Sequence, residues 1–268
     1  MDHIQTDVSD EALVTAIRAN MCDFFRHTSR SNPAEHFENQ QFTRWYTPLP
    51  HPWFNGVFSS ALPNDDDSFI EETIEYFRLK GINTFTWWME PHVKSSDWTS
   101  VLSKHGFGFS NGTPGMAVDL HHMNDSIQSV DGFEIRSVDD EESLRNWTKV
   151  FVNGYGLPSA WEPITFDLWL QLGLELPLRN YLGYLNGEPV STSTVFYGGG
   201  AAGIYCVATL PEARGKGIGA AITVKPLQDA REMGYRVGVL QSSDMGYNVY
   251  KKLGFRHLCQ IENFYLSV

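Results

Sequence analysis

The chain has 268 residues, with 32 acidic and 20 basic side chains and a formal net charge of −12. This charge argues against a nucleic-acid partner, because proteins that bind phosphate backbones present basic surfaces. No apolar run of about 18 residues predicts a membrane span, the N-terminal residues lack the pattern of a secretory signal, and three cysteines are too few for a disulfide framework.

The first half of the chain predicts alternating strands and helices. Apolar and aromatic runs predict strands at 57–63 and 84–89, and helical spacing predicts helices at 69–79 and 97–104. Between the first strand and the first helix stand Asp65, Asp66 and Asp67, whose carboxylates would repel a phosphate rather than hold it.

A polar segment at 121–126, followed by Gly132, separates the two halves. Because the chain exceeds the usual size of one domain, we predict two domains, at 1–128 and 131–268. The adjacent His121 and His122 would point to opposite faces of a strand, so they predict no metal site. With no disulfides or membrane span expected, we predict a cytoplasmic protein.

The second half predicts a longer series of elements. An acid-rich helix start at 137–142 continues to about Val152, and Asn186-Gly187 predicts the turn of a hairpin. Further elements are expected, in chain order, as a strand at 133–136, a helix within 159–176, strands at 181–185, 190–196 and 203–210, a helix at 220–233 containing Pro226, a strand at 235–240, a helix at 242–253 and a strand at 264–266 that closes the sheet.

The most informative stretch is Arg214-Gly215-Lys216-Gly217-Ile218-Gly219, between a predicted strand and a predicted helix. Glycines allow positive φ and close approach of a ligand, and the first amides of a helix lack partners within it. These features, with two cationic side chains, predict a phosphate or pyrophosphate site. The spacing fits neither the G-x-G-x-x-G of a Rossmann loop nor the G-x-x-x-x-G-K-[ST] of a P-loop.

The pattern Arg214-x-x-Gly217-x-Gly219 resembles the acyl-CoA pyrophosphate loop of the GNAT (Gcn5-related N-acetyltransferase) superfamily. Tyr250-Lys251-Lys252-Leu253-Gly254-Phe255 is similar to the Tyr-x-x-x-Gly-Phe ending of the last GNAT helix, and the order of elements over 131–268 fits as well. The resemblance implies an α/β fold (an α+β mixed sheet) with two tandem GNAT-like domains, each a central mixed β-sheet flanked by helices.

The half at 1–128 is similar to a degenerate, non-catalytic copy, with Leu102 in the place of Tyr250; an unrelated α/β domain is the alternative. For 131–268 the resemblance implies a transferase, an acyl-CoA-dependent N-acyltransferase. Acetyl would pass from acetyl-CoA to a primary amine by direct attack, without a metal. Tyr250 would act as the acid that protonates the departing thiolate; a packed helix tyrosine is the alternative.

The resemblance also implies which residues bind the cofactor. Backbone groups of one strand would hold the pantetheine arm, and the loop would hold the pyrophosphate. Ser243, seven positions before Tyr250, stands where many members have Asn, and is either a cofactor contact or a helix cap. The implied strand and loop residues are Val207, Ala208, Thr209, Arg214, Gly215, Lys216, Gly217, Ile218, Gly219 and Ala220.

Several assignments stay open at this point. The general base is not identified, with Glu162, Glu175 and Glu188 as candidates that also suit a solvated surface. Cys206 favours a small apolar filler over an acyl-enzyme nucleophile. Trp161 and Trp169 suit the core, or one of them lines an acceptor pocket.

Two other functions compete with the enzyme: a non-catalytic acyl-CoA-binding or regulatory module, and a different nucleotide binder whose loop mimics the motif. The acceptor would be a small-molecule or peptide amine, and an acidic protein suits a cationic one. A monomer is preferred, because tandem domains can mimic a GNAT dimer within one chain, and a dimer stays open.

Overall fold

A computed structural model describes residues 4–39, 42–59, 68–89 and 95–267. The chain divides into two compact units. Unit 1 comprises Met1–Phe24 and Pro114–Leu258, and unit 2 comprises Phe25–Thr113 and Cys259–Val268. The units therefore do not coincide with a contiguous partition at residues 128–131, because each takes segments from both ends of the chain.

Strands and helices alternate along the described residues. The strands are β1 (Glu35–Glu38), β2 (Phe42–Tyr46), β3 (Gly56–Ser59), β4 (Thr84–Met89), β5 (Gly108–Asp119), β6 (Phe133–Ser137), β7 (Leu178–Leu185), β8 (Glu188–Gly198), β9 (Ala201–Thr209), β10 (Val237–Gln241) and β11 (Arg256–Ser267). The helices are α1 (Asp10–Thr28), α2 (Ser68–Leu79), α3 (Ser95–Lys104), α4 (Glu141–Tyr155), α5 (Glu162–Leu172), α6 (Ile218–Glu232) and α7 (Asp244–Lys252). The predicted elements overlap the observed ones, but α1, β1, β2 and β5 were not predicted. Residues 60–67, which include Asp65, Asp66 and Asp67, lie outside the described residues.

Unit 1 is built on a mixed sheet with the strand order β5-β10-β9-β8-β7-β6. Neighbouring strands are antiparallel except for β9 and β10, which are parallel. Successive strand residues point to opposite faces. On β7, Asn180 accepts a hydrogen bond from Trp169 of α5 (3.2 Å), whereas Tyr181 donates one to Asp229 of α6 (2.8 Å). Helices therefore cover both faces of the sheet.

The strand at 264–266 does not close the sheet of unit 1 as expected. Residues Asn263 to Ser267 pair with β4 of unit 2, and the place beside β10 is taken by the end of β5, where Gly115 pairs with Gln241. The alternation of apolar and polar residues identifies a strand and its buried face, but it does not identify the neighbouring strand. The two halves of the sequence therefore exchange strands.

A helix that sequence analysis missed covers the turn between β8 and β9. The Asn20 amide of α1 donates to the carbonyls of Phe196, Gly198 and Ala201 at 3.1, 2.8 and 3.1 Å, and its oxygen accepts from the Tyr205 hydroxyl at 2.7 Å. The signal was present as buried Leu13, Ala16, Ile17, Met21 and Phe24 at helical spacing.

Pro226 lies inside α6 without ending it. Proline has no N–H, so the carbonyl of Ile222, four residues earlier, loses its donor within the helix. The Ser193 hydroxyl of β8 donates to this carbonyl at 2.7 Å. A side chain of the sheet therefore replaces the missing helical hydrogen bond, and α6 continues to Glu232.

This replacement is testable by a double-mutant cycle. We expect Ser193→Ala to lower the free energy of unfolding by about 1–3 kcal/mol, because it leaves a buried carbonyl without a donor. In a Pro226→Ala background the new N–H supplies the donor, so the same substitution should cost less than about 1 kcal/mol. Denaturant unfolding of the four proteins measures both values.

Ser191→Ala is the matched control on the same strand, because the buried Ser191 hydroxyl has no partner among the described residues. Its removal should leave stability unchanged or higher. Equal costs for Ser193→Ala in both backgrounds would contradict the replacement.

Candidate functional site

β9 separates from β10 halfway along its length. Ala202, Gly203 and Ile204 pair with Gly238, Val239 and Leu240, and no pairing with β10 is found beyond Ile204 in the part of the chain that the structure describes. On its other side β9 stays paired with β8 as far as Thr209. The backbone groups on the β10 side of residues 205–208 are thus available to an extended ligand, as at a sheet edge, whereas the Thr209 carbonyl accepts a hydrogen bond from Arg214.

A β-bulge marks the point of separation. Thr192 pairs with Ala208 and Thr194 with Tyr205, so Ser193 faces two residues, Cys206 and Val207. Cys206 has a φ of 51°, a backbone conformation that side chains disfavour. The Thr192 hydroxyl donates to the Cys206 carbonyl at 2.8 Å. Such bulges bend a strand and re-aim its groups, and they are frequent beside active sites.

Burial raises the pKa of the Cys206 thiol to about 12. The thiolate is the nucleophilic form of cysteine, so this thiol stays protonated and unreactive at neutral pH. The residue acts as a buried filler of the bulge, which agrees with the interpretation from sequence.

The glycine-rich loop follows β9 directly. After a short 3₁₀ turn at Pro211–Ala213, Gly215 and Gly217 have φ values of 77° and 85°, and Gly217 caps α6. A Cβ on Gly219 would meet nothing closer than the Thr209 hydroxyl at 4.0 Å. Protein packing therefore does not require a glycine there, and the bare backbone stays open to a ligand.

Five successive amides in this loop are unpaired. The N–H groups of residues 215–219 have no acceptor among the described residues, whereas the predicted Ala220 amide already donates to the Gly217 carbonyl at 3.1 Å. Unpaired amides at a helix start, together with the helix dipole, favour an anion. Residues 214–217 are exposed, including the Lys216 side chain.

Arg214 donates hydrogen bonds to two backbone carbonyls of the protein. Its Nε donates to the Thr209 carbonyl at 2.9 Å, and its Nη2 donates to the Gly154 carbonyl at 2.9 Å. The strand end, the loop and the last turn of α4 thus meet at one guanidinium group.

Tyr250 lies in α7 and is buried against Phe255, with ring centroids 6.0 Å apart. Gly246 makes room for it, because a Cβ there would lie 2.6 Å from the tyrosine ring. Burial raises the pKa of Tyr250 to about 12, so its hydroxyl is protonated at neutral pH. Ser243 is the N-cap of α7 and accepts from the Gly246 amide at 3.2 Å.

Tyr155 is a site residue that sequence analysis missed. It is the last residue of α4, and 36% of its surface is exposed. Burial, with smaller effects of Cys206 and Tyr250, raises its pKa well above the usual value. Gly156, with a φ of 68°, signals the end of this helix, but no sequence feature signals that the helix ends beside β9.

The candidate bases and the candidate pocket tryptophan differ in their burial and position. Glu162 begins α5, is half-buried, and lies 3.4 Å from the Asn153 amide of α4, whereas Glu175 and Glu188 are exposed. Trp169 is fully buried beside Trp147, so it belongs to the core rather than to an acceptor pocket.

The described residues contain no group of side chains that could hold a metal ion. They also contain no helix long and apolar enough to span a bilayer.

Comparison with known proteins gives a family match for part of the chain. Residues 142–255 match the family described as Acetyltransferase (GNAT) family. A search of curated proteins finds no match.

Three solved structures share the fold. A GCN5-related N-acetyltransferase from Kribbella flavida superposes with a TM-score of 0.66 at 18% identity, over 94% of each chain. A tandem GNAT protein from the clavulanic acid biosynthesis pathway gives 0.58 at 12% identity, over 98% of this chain and 97% of that one. A GCN5-related N-acetyltransferase from Sphaerobacter thermophilus gives 0.60 at 16% identity, over 85% and 80%.

The loop geometry predicts different consequences for two glycines at opposite ends of α6. Gly217 and Gly234 have similar φ values of 85° and 91°, so replacing either by alanine should cost about 1–2 kcal/mol of stability. Gly217→Ala should also lower the affinity for coenzyme A about tenfold, or about 1.4 kcal/mol, because it shifts the unpaired amides.

Thermal unfolding and calorimetric titration with coenzyme A measure the two effects. Gly234→Ala is the matched control and should retain full affinity. Equal affinities of the two variants would show that the Gly217 amide region does not contact the ligand.

Proposed function

Since the chain belongs to the GNAT superfamily, with its family domain at residues 142–255, we propose that unit 1 is an acyl-CoA-dependent N-acyltransferase. It transfers acetyl from acetyl-CoA to a primary amine of a small molecule or peptide. The observation that carries the proposal is the separation of β9 from β10 directly before a loop with five unpaired amides.

Two parts of the site would hold the cofactor. The amides of residues 215–219 receive the pyrophosphate, and the backbone edge of Val207, Ala208 and Thr209, which does not pair with β10, receives the pantetheine arm. Lys216 adds a positive charge at the exposed side of the loop. Ser243 already accepts a hydrogen bond as a helix cap, so its hydroxyl hydrogen is what it offers to the cofactor.

The chemistry requires one proton to leave the amine and one to reach the leaving sulfur. The amine nitrogen bonds to the thioester carbonyl carbon, the carbon–sulfur bond breaks, and Tyr250 gives its proton to the thiolate. Of the three glutamates, Glu162 is favoured as the base that accepts the amine proton, because it is half-buried beside the end of α4.

In its described residues, unit 2 shows no separation of parallel strands like that of β9 from β10. Its parallel strands β3 and β4 pair over four positions, from Gly56 with Thr86 to Ser59 with Met89. The buried Trp87 also donates from its indole to the Ser59 hydroxyl at 3.0 Å. Leu102, in the place of Tyr250, is fully buried in the core. We therefore propose that unit 2 is non-catalytic.

The proposed function predicts a single binding site for acetyl-CoA in each chain. At a concentration 100 times the dissociation constant, acetyl-CoA should stabilise the protein by about 2.7 kcal/mol and raise its melting temperature, whereas ATP and NAD should not. Calorimetric titration should give one molecule per chain. If saturating acetyl-CoA does not raise the melting temperature, both the enzyme hypothesis and the hypothesis of a non-catalytic acyl-CoA-binding module are excluded.

A second prediction separates the enzyme from the non-catalytic binding module, which acyl-CoA binding alone does not distinguish. Release of free CoA from acetyl-CoA should be detected with some members of a panel of amines. Tyr250→Phe should lower kcat about 10²-fold or more, the usual contribution of a positioned acid, with little change in affinity for acetyl-CoA.

Because the pKa of Tyr250 is raised to about 12, its deprotonation should not reduce the wild-type rate below about pH 11. The same raised pKa stabilises the folded state, and that contribution should decline from about pH 10, where an unfolded tyrosine ionises, toward about pH 12. Tyr247→Phe, on the same helix, is the control variant and should keep the wild-type kcat. Turnover that Tyr250→Phe leaves unchanged would exclude the acid role.

A further inference from the structure

We propose that Arg214 is a positioning residue, which fixes the last turn of α4 to the base of the acyl-CoA loop, and not a ligand of the pyrophosphate. The proposal rests on the proposed function, since it concerns how that site is assembled. It assigns cofactor binding to the loop amides, and it assigns to the arginine the placement of the helix that lies beside Cys206 and Tyr250.

The hydrogen bonds of Arg214 already define its orientation. Nε and Nη2 each donate at 2.9 Å, to the carbonyls of Thr209 and Gly154 respectively. The planar fork of a guanidinium suits two fixed acceptors at once, which a lysine ammonium on a flexible stem does not match. The acceptors belong to two different elements, the end of β9 and the end of α4, so the side chain joins them.

The end of α4 needs such a donor. The last four carbonyls of a helix have no partner within it. The Asn153 and Val152 carbonyls accept from the amides of Gly156 and Leu157, and the Gly154 carbonyl accepts from Arg214. A cation at this position also interacts favourably with the negative end of the helix dipole.

Packing at the same place shows how close α4 comes to β9. A Cβ on Gly154 would lie 2.8 Å from the Ala208 Cβ, a distance at which one element must move. Glycine inside a helix costs up to about 1 kcal/mol relative to alanine, so its presence here permits the close approach. The approach sets the distance between α4 and the strand that carries the proposed pantetheine contacts.

The position of the end of α4 also affects the residues proposed to lie beside the amine acceptor. Tyr155 follows Gly154, and its phenol lies near enough to Cys206 and Tyr250 for both to contribute to its raised pKa. Asn153, on the same turn, lies beside Glu162. A ligand that restrains the loop would therefore also restrain, through Arg214, the turn that bears Tyr155.

The test compares Arg214→Ala and Arg214→Lys with Lys149→Ala, an exposed cation of α4. Hydrogen exchange at the Gly156 and Leu157 amides reports on the stability of the last turn of α4, and calorimetric titration measures the affinity for coenzyme A. In the wild type and in Lys149→Ala, saturating coenzyme A should slow this exchange. In both Arg214 variants the exchange should be at least tenfold faster and insensitive to coenzyme A, while affinity stays within about threefold of wild type.

The opposite pattern would overturn the proposal. If Arg214→Ala lowers the affinity for coenzyme A more than tenfold and Arg214→Lys restores that affinity, the positive charge of the side chain binds the pyrophosphate. Unchanged exchange in the Arg214 variants would also overturn it. If wild-type protein does not bind coenzyme A, the proposed function fails, yet exchange of the unliganded variants still tests the connection.

A second pair of variants tests the contact without changing any charge. Gly154→Ala should speed the same exchange and weaken its response to coenzyme A, because the added methyl group pushes α4 from β9. Gly154→Ala combined with Ala208→Gly removes the clash and should restore both. Failure of the double variant to restore them, with normal folding by circular dichroism, would contradict the close-approach argument.

Discussion

The site depends on one departure from regular pairing, at Cys206. Two residues of β9 face Ser193 there, and the Thr192 hydroxyl holds the Cys206 carbonyl. A positive φ at a cysteine is unfavourable by about 1–3 kcal/mol, so the surrounding sheet must maintain it. The bulge bends β9 directly after Ile204, where its pairing with β10 stops and the backbone edge before the loop begins.

A residue of β8 also compensates for a hydrogen bond that is missing in α6. Pro226 removes a hydrogen bond from α6, and Ser193, the residue opposite the bulge, restores one from outside the helix. The polar residues of this buried strand thus have separate tasks: Thr192 supports the bulge and Ser193 supports α6, the helix whose first amides form the loop. This accounts for two of the hydroxyl side chains in the buried part of β8.

Sequence reasoning predicted the local elements and the loop well, because glycine spacing, helix caps and apolar periodicity are local signals. The loop glycines, the N-cap Ser243 and the helix carrying Tyr250 all follow from short-range chemistry. Three features did not follow: the packing of Asn20 on the β8–β9 turn, the nearness of Tyr155 to Cys206, and the partners of β5 and β11. Each depends on contacts between segments distant in sequence, which neither periodicity nor residue type specifies.

The exchanged strands have a consequence for the order in which the chain can fold. β4 lies far before its neighbour in unit 2, residues 263–267 of β11, in the chain. The sheet of unit 2 therefore cannot be completed until residues 263–267 have been synthesised, while the β5 segment required by unit 1 is available before most of that unit has been made. Cutting the chain between the two halves of the sequence would accordingly deprive both sheets of a strand, so neither half corresponds to a unit that folds alone.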